Sequence, residues 1–181
     1  SDGGFVVTWQ SNGQDGDQKG VFGQRYDASG APIGNEFQVN SYTVSDQFNP
    51  SIAALSDGGF VVTWHSSDQD GDSLGIFGQR YDATGASIGS EFQINTFTSG
   101  AQYYPSVAPL SNGGFVVTWQ SYGQTGSGHK VFGQRYDASG ASVGSEFQVN
   151  THISNNQHEA SVAALSDGGF VVTGSSSTED G

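Results

Sequence analysis

The chain repeats itself. A stretch reading S-D-G-G-F-V-V-T-W occupies residues 1–9 and returns unchanged at 56–64. It comes back at 111–119 with Asn112 in place of the aspartate, and at 166–174 with Gly174 in place of the tryptophan. The spacing is 55 residues each time, and residues 1–55 are identical to 56–110 at 36 of 55 positions. The 181 residues therefore read as one array of repeats at 1–55, 56–110 and 111–165, with a partial fourth at 166–181. A unit of this length is one supersecondary motif that buries its apolar face only by stacking on its neighbours.

Each unit carries four strand signals separated by turn signals. Phe5-Val6-Val7-Thr8-Trp9 is β-branched and aromatic, and follows Asp2-Gly3-Gly4, which supplies the positive φ of a tight hairpin. Val21 to Tyr26 alternates with period two, and Asp27-Ala28-Ser29-Gly30 reads as a turn. Glu36 to Asn40 makes a third strand, and Pro50 to Leu55 a fourth, built of small residues. No segment has a helical period. Four antiparallel strands in each 55-residue unit predict an all-β fold, a β-propeller of four-stranded blades. The small-residue strand (A) lies innermost, followed outward by F-V-V-T-W (B), F-G-Q-R-Y (C) and E-F-Q-V (D). Strand B is apolar on both faces, as expected of a sheet covered on both sides.

Composition narrows the function classes. There is no cysteine and no methionine, so stability comes from packing, hydrogen bonds or hard metal ions. The net charge is −13 with only five basic residues, which argues against nucleic acid as a partner. No apolar run is long enough to insert in a membrane. The chain shows neither an initiator methionine nor a secretory leader, which suggests a piece of something longer.

The motifs P-S-[IV]-A-[AP]-L-S-[DN]-G-G-F-V-V-T-W, [VI]-F-G-Q-R-Y-D-A-[ST]-G and G-[NS]-E-F-Q-[VI]-N resemble tandem propeller-like repeats of very large secreted or cell-surface bacterial proteins, which often also carry RTX-type or cadherin-like modules. The resemblance implies an extracellular setting and a structural or adhesive role. S-D-G-G-F-V-V-T-W differs from the sialidase Asp-box, because two extra residues stand before Thr-Trp.

Comparison among the copies locates the variation. S-D-G-G and D-A-[ST]-G barely change, whereas residues 10–19 and 41–49 and their equivalents drift. In an up-and-down sheet the B–C and D–A connections share one end of the strands, so all the drift falls on one face. Within it, Asp68, Asp70 and Asp72, with Asp15 and Asp17 in the first copy, alternate around glycine as calcium ligands do, although the EF-hand pattern is incomplete. A solvated acidic loop is the plainer reading. Trp9, Trp64 and Trp119 are expected to pack between blades; the sharper alternative is a sugar-stacking platform shared with Tyr42, Tyr103 and Tyr122, and with Phe48, Phe97 and Tyr104. Arg25, Arg80 and Arg135 are expected to pair across strands with Glu36, Glu91 and Glu146, or to hydrogen-bond between blades. His65, His129, His152 and His158 read as loop histidines. No thiol, G-x-S-x-G elbow or Walker loop is present, so the expectation is that the chain is not an enzyme. Two functions follow: a non-catalytic structural or adhesive module with calcium as candidate stabiliser, or a lectin-like propeller binding surface glycans. Self-association or neighbouring repeats would complete the ring.

Overall fold

A computed structural model describes residues 3–151 and 156–177. Thirteen strands run β1 (Phe5–Asn12), β2 (Lys19–Tyr26), β3 (Pro32–Gln38), β4 (Gln47–Ala54), β5 (Phe60–Ser67), β6 (Leu74–Tyr81), β7 (Ser87–Gln93), β8 (Gln102–Pro109), β9 (Phe115–Tyr122), β10 (His129–Tyr136), β11 (Ser142–Gln148), β12 (Gln157–Ala164) and β13 (Phe170–Ser176). They form four antiparallel meanders, β1-β2-β3, β4-β5-β6-β7, β8-β9-β10-β11 and β12-β13. The register repeats with the sequence: Phe5 faces Tyr26, Phe60 faces Tyr81 and Phe115 faces Tyr136. Among the described residues there is no helix. The sheets are separate and do not close on one another. Their A strands lie together, β4 against β8 and β8 against β12, while the D strands β7 and β11 pack chiefly on their own C strands. The sheets thus fan outward from a shared inner edge.

The B strands with a sheet on each flank, β5 and β9, bury both of their faces. Phe60, Val62 and Trp64 of β5 pack with Val21 and Val39 of the preceding repeat. The intervening Val61 packs with Phe115, Val117 and Trp119 of the following one. Phe5 occupies the same place in the first sheet as Phe60, has no earlier sheet against it, and is 50% exposed where Phe60 is 4% exposed.

Hydrogen bonds fix how the sheets meet. Arg25 Nη2 donates to Ala83 O at 2.8 Å and Nη1 donates to Thr84 O, both in the C–D turn of the next sheet. Arg80 repeats the clasp on Ala138 O (2.8 Å) and Ser139 O. Arg25 and Arg80 therefore bond between sheets rather than pairing with the strand-D glutamates. Those reach the other way: Glu91 accepts from Ser41 N and Glu146 from Thr96 N, at 2.6 and 2.9 Å. At the inner edge, Ser51 Oγ accepts from Val107 N and Ser106 Oγ from Val162 N. The clasp explains one glycine: a Cβ on Gly140, at φ 86, would come within 2.8 Å of Arg80 Nη1.

The C–D turn that receives the arginine is shaped by an aspartate. Asp82 Oδ1 accepts from Thr84 N, Thr84 Oγ1 and Ala86 N, and Asp27 and Asp137 repeat the pattern. The hydroxyl bond from Thr84, followed by the Ala86 amide, holds the Asp82 carboxyl below its ordinary value of 3.8. Ser29 and Ser139 do the same for Asp27 and Asp137.

Two strands differ from expectation. Strand D begins at Pro32, because Gln24 bridges a register shift by donating to Arg25 O and Ile33 O. Strand A begins at Gln47, ahead of a bulge between Phe48 and Ser51. Gln47 is buried because Asn40 Nδ2 donates to its Oε1 at 3.0 Å while Asn40 Oδ1 accepts from Val21 N at 2.7 Å. Asn95 and Gln102 repeat this anchor of the D–A connection.

Two outcomes follow. Arg80→Leu, which removes charge-assisted bonds to two carbonyls, is expected to cost about 2–3 kcal/mol in urea unfolding. Arg135→Leu, on an exposed side chain, is expected to cost less than about 0.5 kcal/mol. Because the three aspartate pKa values are lowered on folding, their stabilisation is present above the ordinary carboxylate value and lost as pH falls through the lower, folded one. Urea midpoints should therefore drop below about pH 4, and the triple variant Asp27→Ala, Asp82→Ala, Asp137→Ala should show a shallower drop.

Candidate functional site

The inner edge of the fan opens into a pocket of about 980 Å³ on the variable face. Three successive A strands line it, through Phe48 to Ser51, Tyr103 to Ser106 and His158 to Ser161, joined by His65 and Gln120 from strands B. Its size and mixed apolar and polar lining suit a small-molecule site.

The backbone that builds it is unusual. Each A strand is bulged at the same point, where its register to strand B shifts between Phe48 and Ser51, Tyr103 and Ser106, and His158 and Ser161. The residue after the shift begins takes a left-handed conformation: Asn49 (φ 52), Tyr104 (φ 56) and Glu159 (φ 53). For a residue with a Cβ this costs roughly 1–2 kcal/mol, and such strain gathers at ligand-binding positions. The bulge turns a side chain toward the shared axis where a regular strand would alternate it away. The same strained position thus carries Asn, Tyr and Glu in three copies of one scaffold.

The side chain that accepts from the bulge lies on strand B of the preceding sheet, one residue beyond the tryptophan. Gln10 Oε1 accepts from Asn49 N at 2.9 Å, and His65 Nδ1 accepts from Tyr104 N at 3.2 Å. The second bond puts the ring proton of neutral His65 on Nε2. Burial, with a smaller contribution from the Lys19 charge, pushes the His65 pKa down to about 3. The ring is wedged edge-on against Phe48, with centroids 3.9 Å apart, and stands 5.8 Å from Tyr104. Its buried Nε2 has no hydrogen-bond partner. Gln120 occupies the third equivalent place, is 1% exposed, and neither its Oε1 nor its Nε2 is hydrogen-bonded. Beside the pocket, Tyr103 Oη is bonded to the His129 ring, which also lies 5.5 Å from His158. Burial, then the charges of His158 and Lys130, lower the His129 pKa.

The residues singled out by sequence fall in different places. Tyr103 lines the pocket, as do Phe48 and Tyr104; Trp9, Tyr42 and Tyr122 do not. Trp64 and Trp119 are fully buried between sheets, which corrects the sugar-platform alternative for both: neither ring has a face free for a ligand. Asp68 takes a left-handed turn position (φ 60) that Gly13 and Gly123 hold in the other copies. Asp15 and Asp70 accept from Asn40 and Asn95, and Asp17 and Asp72 accept from Ser45 N and Gly100 N of the D–A loops, at 3.0 and 2.9 Å. Among the described residues no three His, Asp or Glu side chains gather in a group that could hold a metal. His152 lies outside the described residues. His65, Gln120, Asn49 and Glu159 were missed as site residues. The signal available was their divergence at matched positions inside an otherwise constant repeat.

No family model matches the chain, and no curated protein sequence does. Its fold is similar to solved structures, among them an endo-arabinase from Bacteroides thetaiotaomicron, with a TM-score of 0.54 at 14% identity over 98% of this chain and 73% of that one. This corrects the expectation of a non-enzyme: the architecture is shared with an enzyme, so the lack of a thiol, a G-x-S-x-G elbow or a Walker loop is no ground for excluding catalysis. Glu159 is the carboxylate of the described pocket lining, whereas glycoside hydrolysis generally employs a pair.

Glu159→Asn, which places in the third bulge the residue used by the first, is expected to raise the unfolding free energy by about 0.5–1 kcal/mol, because asparagine tolerates the left-handed conformation better. Equilibrium urea denaturation reads the difference.

Proposed function

We propose that the four sheets are blades of a β-propeller-type array and that the chain binds carbohydrate in the pocket at their inner edge. The carrying observation is the pocket's lining, in which the rings of Phe48, Tyr103 and Tyr104 stand beside the unpaired polar atoms of His65 and Gln120. Apolar ring faces beside hydrogen-bonding groups match a sugar, which has C–H patches on its ring faces and hydroxyls at its edges. The fold likeness to an endo-arabinase supports this reading over the adhesive one, which has no observation of its own.

Tyr104 is the residue to test, since it is 50% exposed and its ring can be removed without emptying the core. Glycan-array screening followed by calorimetry on the best hit should show binding by the native chain. Tyr104→Ala should weaken it by about tenfold, or ~1.4 kcal/mol. A native chain that binds no glycan on the array sinks the proposal.

A further inference from the structure

We infer that the pocket selects an uncharged, polyhydroxylated sugar unit, with Gln120 and His65 as its specificity-determining pair, and that it discriminates against anionic glycans. The inference rests on the carbohydrate-binding reading and adds the ligand's charge and the groups that read it.

Three observations carry it. First, the B-strand position that faces the bulge has a structural task in two copies and none in the third. Gln10 and His65 each accept the N–H of the left-handed residue opposite, whereas the Gln120 side chain makes no hydrogen bond. A fully buried amide with both atoms unpaired costs free energy in the empty protein, and that cost is recovered when a ligand supplies partners. Second, what the pair offers is defined. Gln120 presents one acceptor and a donor group, and His65 presents a single donor, its Nδ1 being occupied by Tyr104 N. A donor beside an acceptor matches adjacent hydroxyls, each of which gives one hydrogen bond and accepts another. Third, the lining contains no lysine or arginine, while Glu159 adds a carboxylate. A buried anion needs a cation or several strong donors. The lining would offer it a neutral imidazole, an amide and a like charge, within a chain whose net charge is −13. The Lys19 ammonium is 5.2 Å from the centroid of the Phe48 ring and is not part of that lining.

The test uses the native chain and Gln120→Met, which keeps the side chain's length and removes its polar atoms. Calorimetry is run with arabinotriose, galactotriose and trigalacturonate, and melting curves are recorded without ligand. At least one neutral trisaccharide is expected to bind and trigalacturonate to bind about tenfold more weakly or not at all. Gln120→Met should lose about tenfold or more in affinity for the neutral sugar while melting no lower than the native chain, because an unpaired buried amide is replaced by an apolar isostere. Trigalacturonate binding as tightly as the neutral sugars overturns the inference and leaves carbohydrate binding intact. So does undiminished affinity in Gln120→Met, or a large fall in its melting temperature, which would mark Gln120 as structural. No binding to any of the three by the native chain, combined with a blank glycan array, removes the carbohydrate reading itself and this inference with it.

Discussion

Face-to-face burial of the sheets is the constraint on which the rest depends. A β5 that packs Phe60, Val62 and Trp64 on one side and Val61 on the other cannot be stable without a sheet on each flank. Each such side chain contributes roughly 1.5–3 kcal/mol when fully buried, against about 1 kcal/mol for a typical hydrogen bond. Apolar contact therefore holds neighbouring sheets together. Because hydrophobic contact is non-directional, something else must set how far one sheet slides along the next. The arginine clasp does this: Arg25 and Arg80 each bind two successive carbonyls, and a displaced turn would present them in the wrong place.

Constancy at one end of the strands then has a physical account. The turn D-A-[ST]-G must offer two carbonyls to an arginine from the previous sheet, which requires the aspartate to shape it and a glycine under the guanidinium. The A–B turn is held similarly, with Asp57 and Asn112 accepting from the amide two residues on. The opposite end has a different economy. Its loops are tied by side-chain bonds such as Asp17 to Ser45 N, and by the buried Asn40–Gln47 pair, which fix the loop base and leave its tip free to vary.

Much of the fold was legible in the sequence and much of the site was not, for one reason. Strand order, turn glycines and two-sided burial of strand B follow from a period and a hydrophobicity pattern, both local properties of the chain. The buried roles of Asn40, Gln47, His65 and Gln120 belong to polar residues in polar-looking stretches, and only tertiary packing shows that water is excluded there. The tryptophans were legible: they are expected to pack between neighbouring units, and Trp64 and Trp119 are covered by the adjacent sheets. The alternating aspartates also tie the loops together, Asp70 accepting from Asn95 and Asp72 from Gly100 N, contacts that a one-dimensional pattern does not show. The bulge is invisible in the sequence because Asn49, Tyr104 and Glu159 share no residue type, although the backbone is the same in all three.

That last mismatch between backbone and side chain bears on how a repeat array acquires function. Identical repeats about a common edge would give a ligand the same surface several times, suited to a ligand of matching symmetry. A single sugar unit has no such symmetry, so recognising it requires the copies to differ where they converge and nowhere that stacking forbids. The bulge meets both conditions. It lies at the inner end of strand A, beyond the Ser51 and Ser106 links that join adjacent sheets, and its left-handed residue points where neighbouring copies meet. The strain is carried equally by three copies, whereas the wholly unpaired buried amide occurs in one of them, at Gln120. Strain alone could be read as the geometry of a strand bending toward the centre. Strain together with an unsatisfied amide and a histidine donor, all lining one pocket, is better explained by a ligand that completes the set.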